Sequence, residues 1–265
     1  MLQVAYSIDM RALALAVLAA AAGSIAAQEA GVRGQRGEDL GPGVPYGNRA
    51  FYFTRAAYTD WRQWGRGAWT TDYPKADRQF LIGLTRLTRV DADDDTRAVR
   101  FDDPGIRRYP LLYTVEVGAM QLTDAEVEGL RTYLLAGGML VVDDFWGTLQ
   151  WANFEDQMRR VLPEYAIREL PPDHGVRRAF YGIDTIVQVP NVGQGMRGGP
   201  TWEQDGYVPH LMGIEDAHGR LMVLISWNSD LGDAWEWAEQ PRYPIVFSNY
   251  AYRIGVNMVI YGMSH

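Results

Sequence analysis

The chain contains no cysteine, and this absence excludes several kinds of chemistry at once. Without a thiol there is no disulfide, no cysteine-ligated zinc or iron–sulfur centre, and no cysteine nucleophile. Because cysteine-free chains occur in both oxidising and reducing compartments, this absence does not by itself place the protein in the cell.

The chain also lacks an excess of positive charge and, beyond its N-terminus, any long apolar run. It carries 25 Lys and Arg against 33 Asp and Glu, a formal net charge of −8. An acidic balance disfavours a nucleic-acid partner, which usually requires a basic surface. No later apolar run approaches the roughly 18 residues that a membrane-spanning helix needs. We therefore predict a globular protein that binds no nucleic acid and is not an integral membrane protein after N-terminal cleavage.

The N-terminus has the pattern of a secretory signal peptide. Arg11 precedes an apolar stretch at 12–22, and small residues follow at 24–27. We predict that residues 1–27 are removed on export and that the protein is periplasmic or secreted. An uncleaved N-terminal membrane anchor is the alternative, although the apolar stretch is short for one.

The rest of the chain divides into a linker and one domain. Residues 28–48 are rich in glycine and proline, which is typical of a flexible linker. Residues 49–265 are enough for one sizeable core, and they contain no internal repeat and no second linker.

The clearest local structure is a strand–helix–strand unit. Leu111–Val115 predicts a strand, and Thr123 with Glu126 predicts a capping box at the start of a helix. The glycine pair at 137–138 ends that helix. Met139–Val142 is apolar on both faces, as expected of a central parallel strand covered by helices.

The remaining apolar patterns predict an α/β domain. Further strands are predicted at 50–53, 98–101, 182–189, around Met212 and at 221–225. Further helices are predicted from near Pro74 to Leu87 and at about 154–162 and 248–261. The turn at 216–219 predicts an antiparallel hairpin. We expect three layers, with a mainly parallel central sheet flanked by helices and a hairpin added late in the chain.

Two adjacent carboxylates follow the central strand, where ligands of open α/β sheets bind. Asp143 and Asp144 suit a ligand-binding, metal-binding or general-base role, and the alternative is turn capping with an ion pair. Arg55 is the expected counter-charge, unless it is an ordinary surface residue. His174 lies in a predicted loop and is either a site residue or a surface residue.

A second acidic group lies in the predicted loop of Asp230, Asp233 and Glu236, beside two tryptophans. This spacing can gather carboxylates around a hard cation, but it lacks the full ligand pattern of a calcium loop. The tryptophans fit either sugar binding or the sealing of a core. We assign neither a metal nor a cofactor from the sequence.

Several motifs occur in order along 49–265. They are Thr71-Asp72-Tyr73-Pro74, Leu122-Thr123-Asp124, Val142-Asp143-Asp144, Pro163-Glu164, Asp173-His174, Asp230 to Glu236, and Gly255-Val256-Asn257. Together they resemble the bacterial domain-of-unknown-function family 4159. The segment 122–144 also resembles class I glutamine amidotransferase-like domains, which have a flavodoxin-like fold and a nucleophile elbow after a central strand. That elbow carries cysteine in true amidotransferases, so the resemblance implies the fold and excludes cysteine-dependent glutamine hydrolysis here.

Two functions follow as hypotheses. The first is an exported, non-catalytic binding module for a small ligand, a glycan or an envelope protein. The second is a cysteine-independent hydrolase of a small or glycan-like substrate, using Asp143 or Asp144 with His174. The chain lacks a Gly-x-Ser-x-Gly elbow, a phosphate loop and a His-Glu-x-x-His motif, so whether it is an enzyme stays open.

Overall fold

A computed structural model describes residues 49–61 and 68–265, which belong to one compact unit, Pro45–His265. The predicted signal peptide and the predicted linker lie outside the described residues. Within them, the strands are β1 (Thr54–Ala57), β2 (Arg97–Arg100), β3 (Leu111–Val115), β4 (Met139–Asp143), β5 (Ile167–Glu169), β6 (His210–Glu215) and β7 (Leu221–Trp227). The α-helices are α1 (Lys75–Leu87), α2 (Asp124–Leu135), α3 (Gly147–Val161), α4 (Val192–Arg197), α5 (Leu231–Glu236) and α6 (Ile245–Ser264). Short 3-10 helices occur at Ala68–Thr70, Ile106–Arg108, Val117–Ala119 and Gly175–Arg177.

These strands form one mixed sheet in the order β2-β1-β3-β4-β7-β6-β5. The pairs from β2 to β7 are parallel, and β6 and β5 complete the sheet in antiparallel pairing. Helices flank the sheet, so the predicted α/β three-layer class and the antiparallel β6–β7 hairpin are confirmed.

The strand–helix–strand unit has the structure that its sequence predicts. The Thr123 hydroxyl accepts a hydrogen bond from the Glu126 backbone N–H at 3.2 Å, and the Glu126 carboxylate accepts one from the Thr123 N–H at 2.9 Å. Gly137 has a φ of 113°, which suits glycine at a helix end. Val141 and Val142 are fully buried, as expected of a central strand.

Successive side chains of β4 point to opposite faces of the sheet, and each face packs against its own apolar core. Val141 faces a core formed with α1, α5 and α6, where the Trp235 ring lies 4.6 Å from the Phe80 ring and 5.3 Å from the Tyr113 ring, centroid to centroid. Val142 faces the other core, formed with α2 and α3. Because both faces are covered, the carboxyl edge of the parallel strands is where a cleft can open.

Two predicted strands are wrong in position. The first strand is β1, not 50–53, and within 50–53 only Phe51 forms a bridge, with Ala92. No strand occurs at 182–189, because side chains bind that backbone: Arg177 donates to the carbonyls of Ile183, at 3.0 Å, and Asp184, at 2.6 Å. The short strand β5 was not predicted and pairs with β6 instead.

Helix starts differ from prediction as well. Helix α3 begins at Gly147, seven residues before the predicted 154, and α6 begins at Ile245 rather than 248. The predicted loop at 230–236 is helix α5, capped by the Asp230 carboxylate, which accepts from the Asp233 N–H at 2.7 Å. None of the described helices is both long and apolar enough to cross a membrane.

Candidate functional site

A polar cleft of about 360 Å³ opens at the carboxyl edge of the parallel strands. Its described lining contains six carboxylates and no lysine or arginine. The lining residues are Thr71, Asp72, Glu116, Asp144, Trp146, Gln150, Asn191, Glu203, Gln204, Asp230 and Asp233. Such a surface offers mainly hydrogen-bond acceptors to a ligand.

Asp144 reaches this cleft through an uncommon backbone conformation. Its φ is 50°, in the left-handed region that aspartate tolerates better than most residues. Backbone hydrogen bonds fix the turn, from the Asp144 N–H to the Ser229 carbonyl at 3.1 Å and from the Glu116 N–H to the Asp144 carbonyl at 3.0 Å. The side chain accepts from the Trp146 indole N–H at 3.0 Å. Asp144 therefore presents its carboxylate to the cleft directly after a central strand.

Asp143 points the other way, into the protein. Its Oδ2 accepts from the Tyr113 hydroxyl at 2.6 Å and from the N–H groups of Leu231 at 2.8 Å and Gly232 at 3.2 Å. Burial raises the pKa of Asp143 to about 6, while the hydrogen bond from Tyr113 opposes that rise. Asp143 joins β4 to the first turn of α5 and does not line the cleft.

Arg55 does not act as the expected counter-charge of Asp143 and Asp144. It is fully buried, and its guanidinium forms a two-contact ion pair with Asp77, with Nε 3.3 Å from Oδ2. The same guanidinium donates to the Thr71 carbonyl at 3.2 Å. Arg55 therefore anchors the segment that carries Asp72 from behind the cleft.

Asp72 is a site residue that sequence reasoning missed, as are Glu116 and Glu203. It has a φ of 61°, and its Oδ2 is buried with no hydrogen-bond partner. One oxygen from each of Asp72, Asp144 and Asp230 lies within 4.8 Å of the others, and Asp72 forms a similar group with Asp233 and Glu236. Asp72 lies in the motif Thr71 to Pro74, but nothing in the irregular stretch around it indicated that it would reach the sheet edge.

The two remaining acidic candidates also lie at this edge. The Asp233 Oδ2 accepts from the Val192 N–H at 2.5 Å, which ties α5 to the start of α4. Glu236 pairs with Lys75, with Nζ 3.4 Å from Oε1. The structure therefore brings Asp144 to the same edge as Asp230, Asp233 and Glu236. The sequence predicted these as two separate acidic groups.

Clustering of these carboxylates makes their ionisation costly. Burial first, and then neighbouring carboxylates, raise the pKa values of Asp72, Asp144 and Asp230 well above the ordinary range of aspartate. A ligand that supplies positive charge or hydrogen-bond donors would offset this cost.

His174 lies at the opposite edge of the sheet. Its Nε2 is 3.3 Å from Glu215 Oε1, and its Nδ1 accepts from the Val176 N–H at 3.1 Å. Glu215 pairs with Leu221, the first residue of β7, whereas the cleft lies beyond the last residues of β4 and β7. An Asp–His pair is therefore not formed with Asp143 or Asp144.

The fold and the site together define an α/β domain with an acidic cleft at its carboxyl edge. The family model "Domain of unknown function (DUF4159)" matches residues 53–263, and the chain belongs to that family. No relative is found among curated proteins.

Proposed function

We propose that the protein is an exported binding module whose acidic cleft takes a small ligand rich in positive charge or hydroxyl groups. The observation that carries this proposal is the lining of the cleft, with six carboxylates and no basic side chain among its described residues. Ionised carboxylates only accept hydrogen bonds, so a matching ligand must donate them, as amines and sugars do.

The amides of the cleft support the same class of ligand. Gln150, Asn191 and Gln204 lie among the carboxylates and add groups that either donate or accept. Trp146, which is buried, positions the carboxylate of Asp144 by donating its indole N–H at 3.0 Å. Export rests on the signal-peptide pattern of residues 1–27.

The alternative function is a cysteine-independent hydrolase, and the backbone of Asp144 favours it. Residue 144 follows a central strand with a left-handed φ, as a nucleophile elbow requires. Since His174 lies at the other edge, such an enzyme would have to use carboxylates alone. Asp144 would be the base or nucleophile, and a protonated neighbour such as Asp230 the acid.

Binding can be tested by calorimetry in metal-free buffer with spermidine, a neutral oligosaccharide and citrate as probes. We expect spermidine or the oligosaccharide to bind and citrate not to bind. Asp144→Asn should weaken the binding at least tenfold, which corresponds to about 1.4 kcal/mol. Asp156→Asn is the matched control, because Asp156 is exposed on α3 and pairs with Arg159. Binding of citrate in the cleft, or equal binding by wild type and Asp144→Asn, would contradict the proposal.

A further inference from the structure

The Asp72 carboxylate has one oxygen that the protein leaves without a partner. Asp72 Oδ2 is buried and accepts no hydrogen bond, although buried carboxylate oxygens in proteins are usually paired. The backbone around it is fixed, because Arg55 donates to the carbonyl of the preceding Thr71 at 3.2 Å. The protein therefore positions this oxygen without satisfying it, which is typical of an atom that a ligand completes.

Other carboxylates lie close to the Asp72 side chain. Asp144 is 7% exposed and Asp230 is 4% exposed, and one oxygen from each lies within 4.8 Å of the other and of an Asp72 oxygen. Two oxygens bound to one calcium or manganese ion are separated by at most about 5 Å, twice an ordinary metal–oxygen distance. The three side chains are thus close enough to hold a single ion.

Within the described part of the chain, the cations near this group pair with other carboxylates. The guanidinium of Arg55 pairs with Asp77, and Lys75 reaches Glu236, which lies outside this trio. Among the described residues, the second acidic group, Asp72 with Asp233 and Glu236, is therefore paired with a lysine, whereas no salt bridge reaches Asp144 or Asp230.

We propose that Asp72, Asp144 and Asp230 bind one hard divalent cation at the base of the cleft. All three ligands are carboxylate oxygens, and neither acidic group contains a histidine among the described residues, so calcium, magnesium and manganese are favoured over zinc or copper. Water fills the remaining coordination positions. This inference rests on the proposed function, since the ion is the positive charge that the cleft accepts.

Three substitutions test the site while preserving the backbone. Asn at 72 and 144 tolerates their left-handed φ values, and Asn at 230 still caps α5. The protein is stripped with EDTA, dialysed, and titrated with CaCl₂ and with MnCl₂ by calorimetry. We expect one ion per chain with a Kd of about 1 mM or tighter, and each of the three variants to weaken binding at least tenfold. Glu236→Gln and Asp156→Asn should leave the affinity within about threefold, since neither group contributes a ligand.

Thermal unfolding separates a ligand role from a structural one. In EDTA, Asp72→Asn and Asp144→Asn should unfold at a temperature equal to or above that of wild type, because they remove repulsion between carboxylates. Calcium should raise the wild-type midpoint and leave those of the variants unchanged. Lower midpoints in EDTA with wild-type ion affinity would overturn the proposal and assign these residues a structural role.

The two proposals fail separately. Absence of calcium and manganese binding up to 10 times the expected Kd of about 1 mM, with spermidine or oligosaccharide still bound, overturns the ion site and leaves the binding module. Loss of ion binding in Glu236→Gln but not in Asp230→Asn would also overturn this site, since it would place the ion with Asp233. Ion binding without any organic ligand supports the site and contradicts the broader proposed function.

Discussion

At the scale of single residues, the neighbours Asp143 and Asp144 show how one sequence pair serves two purposes. Successive residues at a strand end face in different directions, so one carboxylate enters the protein and the other enters the cleft. Asp143 accepts three hydrogen bonds that join β3, β4 and α5, whereas Asp144 lines the cleft.

Replacement of Asp143 should therefore affect stability. Asp143→Ala would leave the Tyr113 hydroxyl and the N–H groups of Leu231 and Gly232 buried without an acceptor, and we expect a loss of about 3 kcal/mol in the free energy of unfolding. Asp143→Asn keeps a carbonyl oxygen for these donors, so its loss should be smaller. Urea unfolding at pH 7 measures both. Equal losses in the two variants would show that charge, and not the acceptor, is what the site needs.

The sequence was enough to find candidate carboxylates. It was not enough to predict which residues they or the buried charges would contact. Asp144 was found because it follows a strand of strong apolar pattern, and Asp230 because of its spacing from Asp233 and Glu236. Arg55 was given the wrong partner because its true one, Asp77, lies on α1, and no spacing rule connects that helix to β1. His174 was grouped with the acids because the sequence did not show that its loop lies beside the amino end of β7.

At the scale of elements, the ends of a helix were predicted correctly where the residues that fix them are close together in sequence. The capping box and the terminal glycine of α2 depend on residues within a few positions, and both are present in the structure. The absent strand at 182–189 and the early start of α3 depend on groups outside those segments. Gly147, at the start of α3, donates its N–H to Asn228, 81 residues away, at 2.9 Å.

At one position of α2, close packing makes glycine more favourable than alanine, which is the reverse of the usual preference in helices. Alanine usually stabilises a helix interior by about 1 kcal/mol relative to glycine. At Gly129, however, an added Cβ would lie 2.0 Å from the Phe101 carbonyl oxygen, so the helix would have to move away from that segment. We expect Gly129→Ala to destabilise the protein by about 1–3 kcal/mol. Glu128→Ala, at an exposed position of the same helix, should change stability by less than about 0.5 kcal/mol. A stabilised Gly129→Ala protein would show that α2 is not packed this closely.

At the scale of the whole molecule, the sequence predicted the class of sheet but not its order. Apolar strands alternating with helices favour a parallel sheet, and the hairpin turn predicted the antiparallel pair β6–β7. The placement of β1 between β2 and β3, and of β7 beside β4, depends on long-range pairing that local patterns do not encode. That order brings the ends of β4 and β7, with their aspartates, to one cleft.

Export is the prediction that concerns the whole chain. The apolar stretch at 12–22 and the small residues at 24–27 predict that protein from a bacterial host begins at Ala27 or Gln28. Such cleavage removes none of the described strands, the first of which begins at Thr54, so the exported protein should keep the acidic cleft. N-terminal sequencing and intact mass of periplasmic or secreted protein measure the cleavage. Leu15→Asp should block it by interrupting the apolar stretch, and Val44→Asp, in the predicted linker, should leave it unchanged. An intact N-terminus on cytoplasmic protein would contradict export, and an intact N-terminus in the membrane fraction would identify the segment as an anchor.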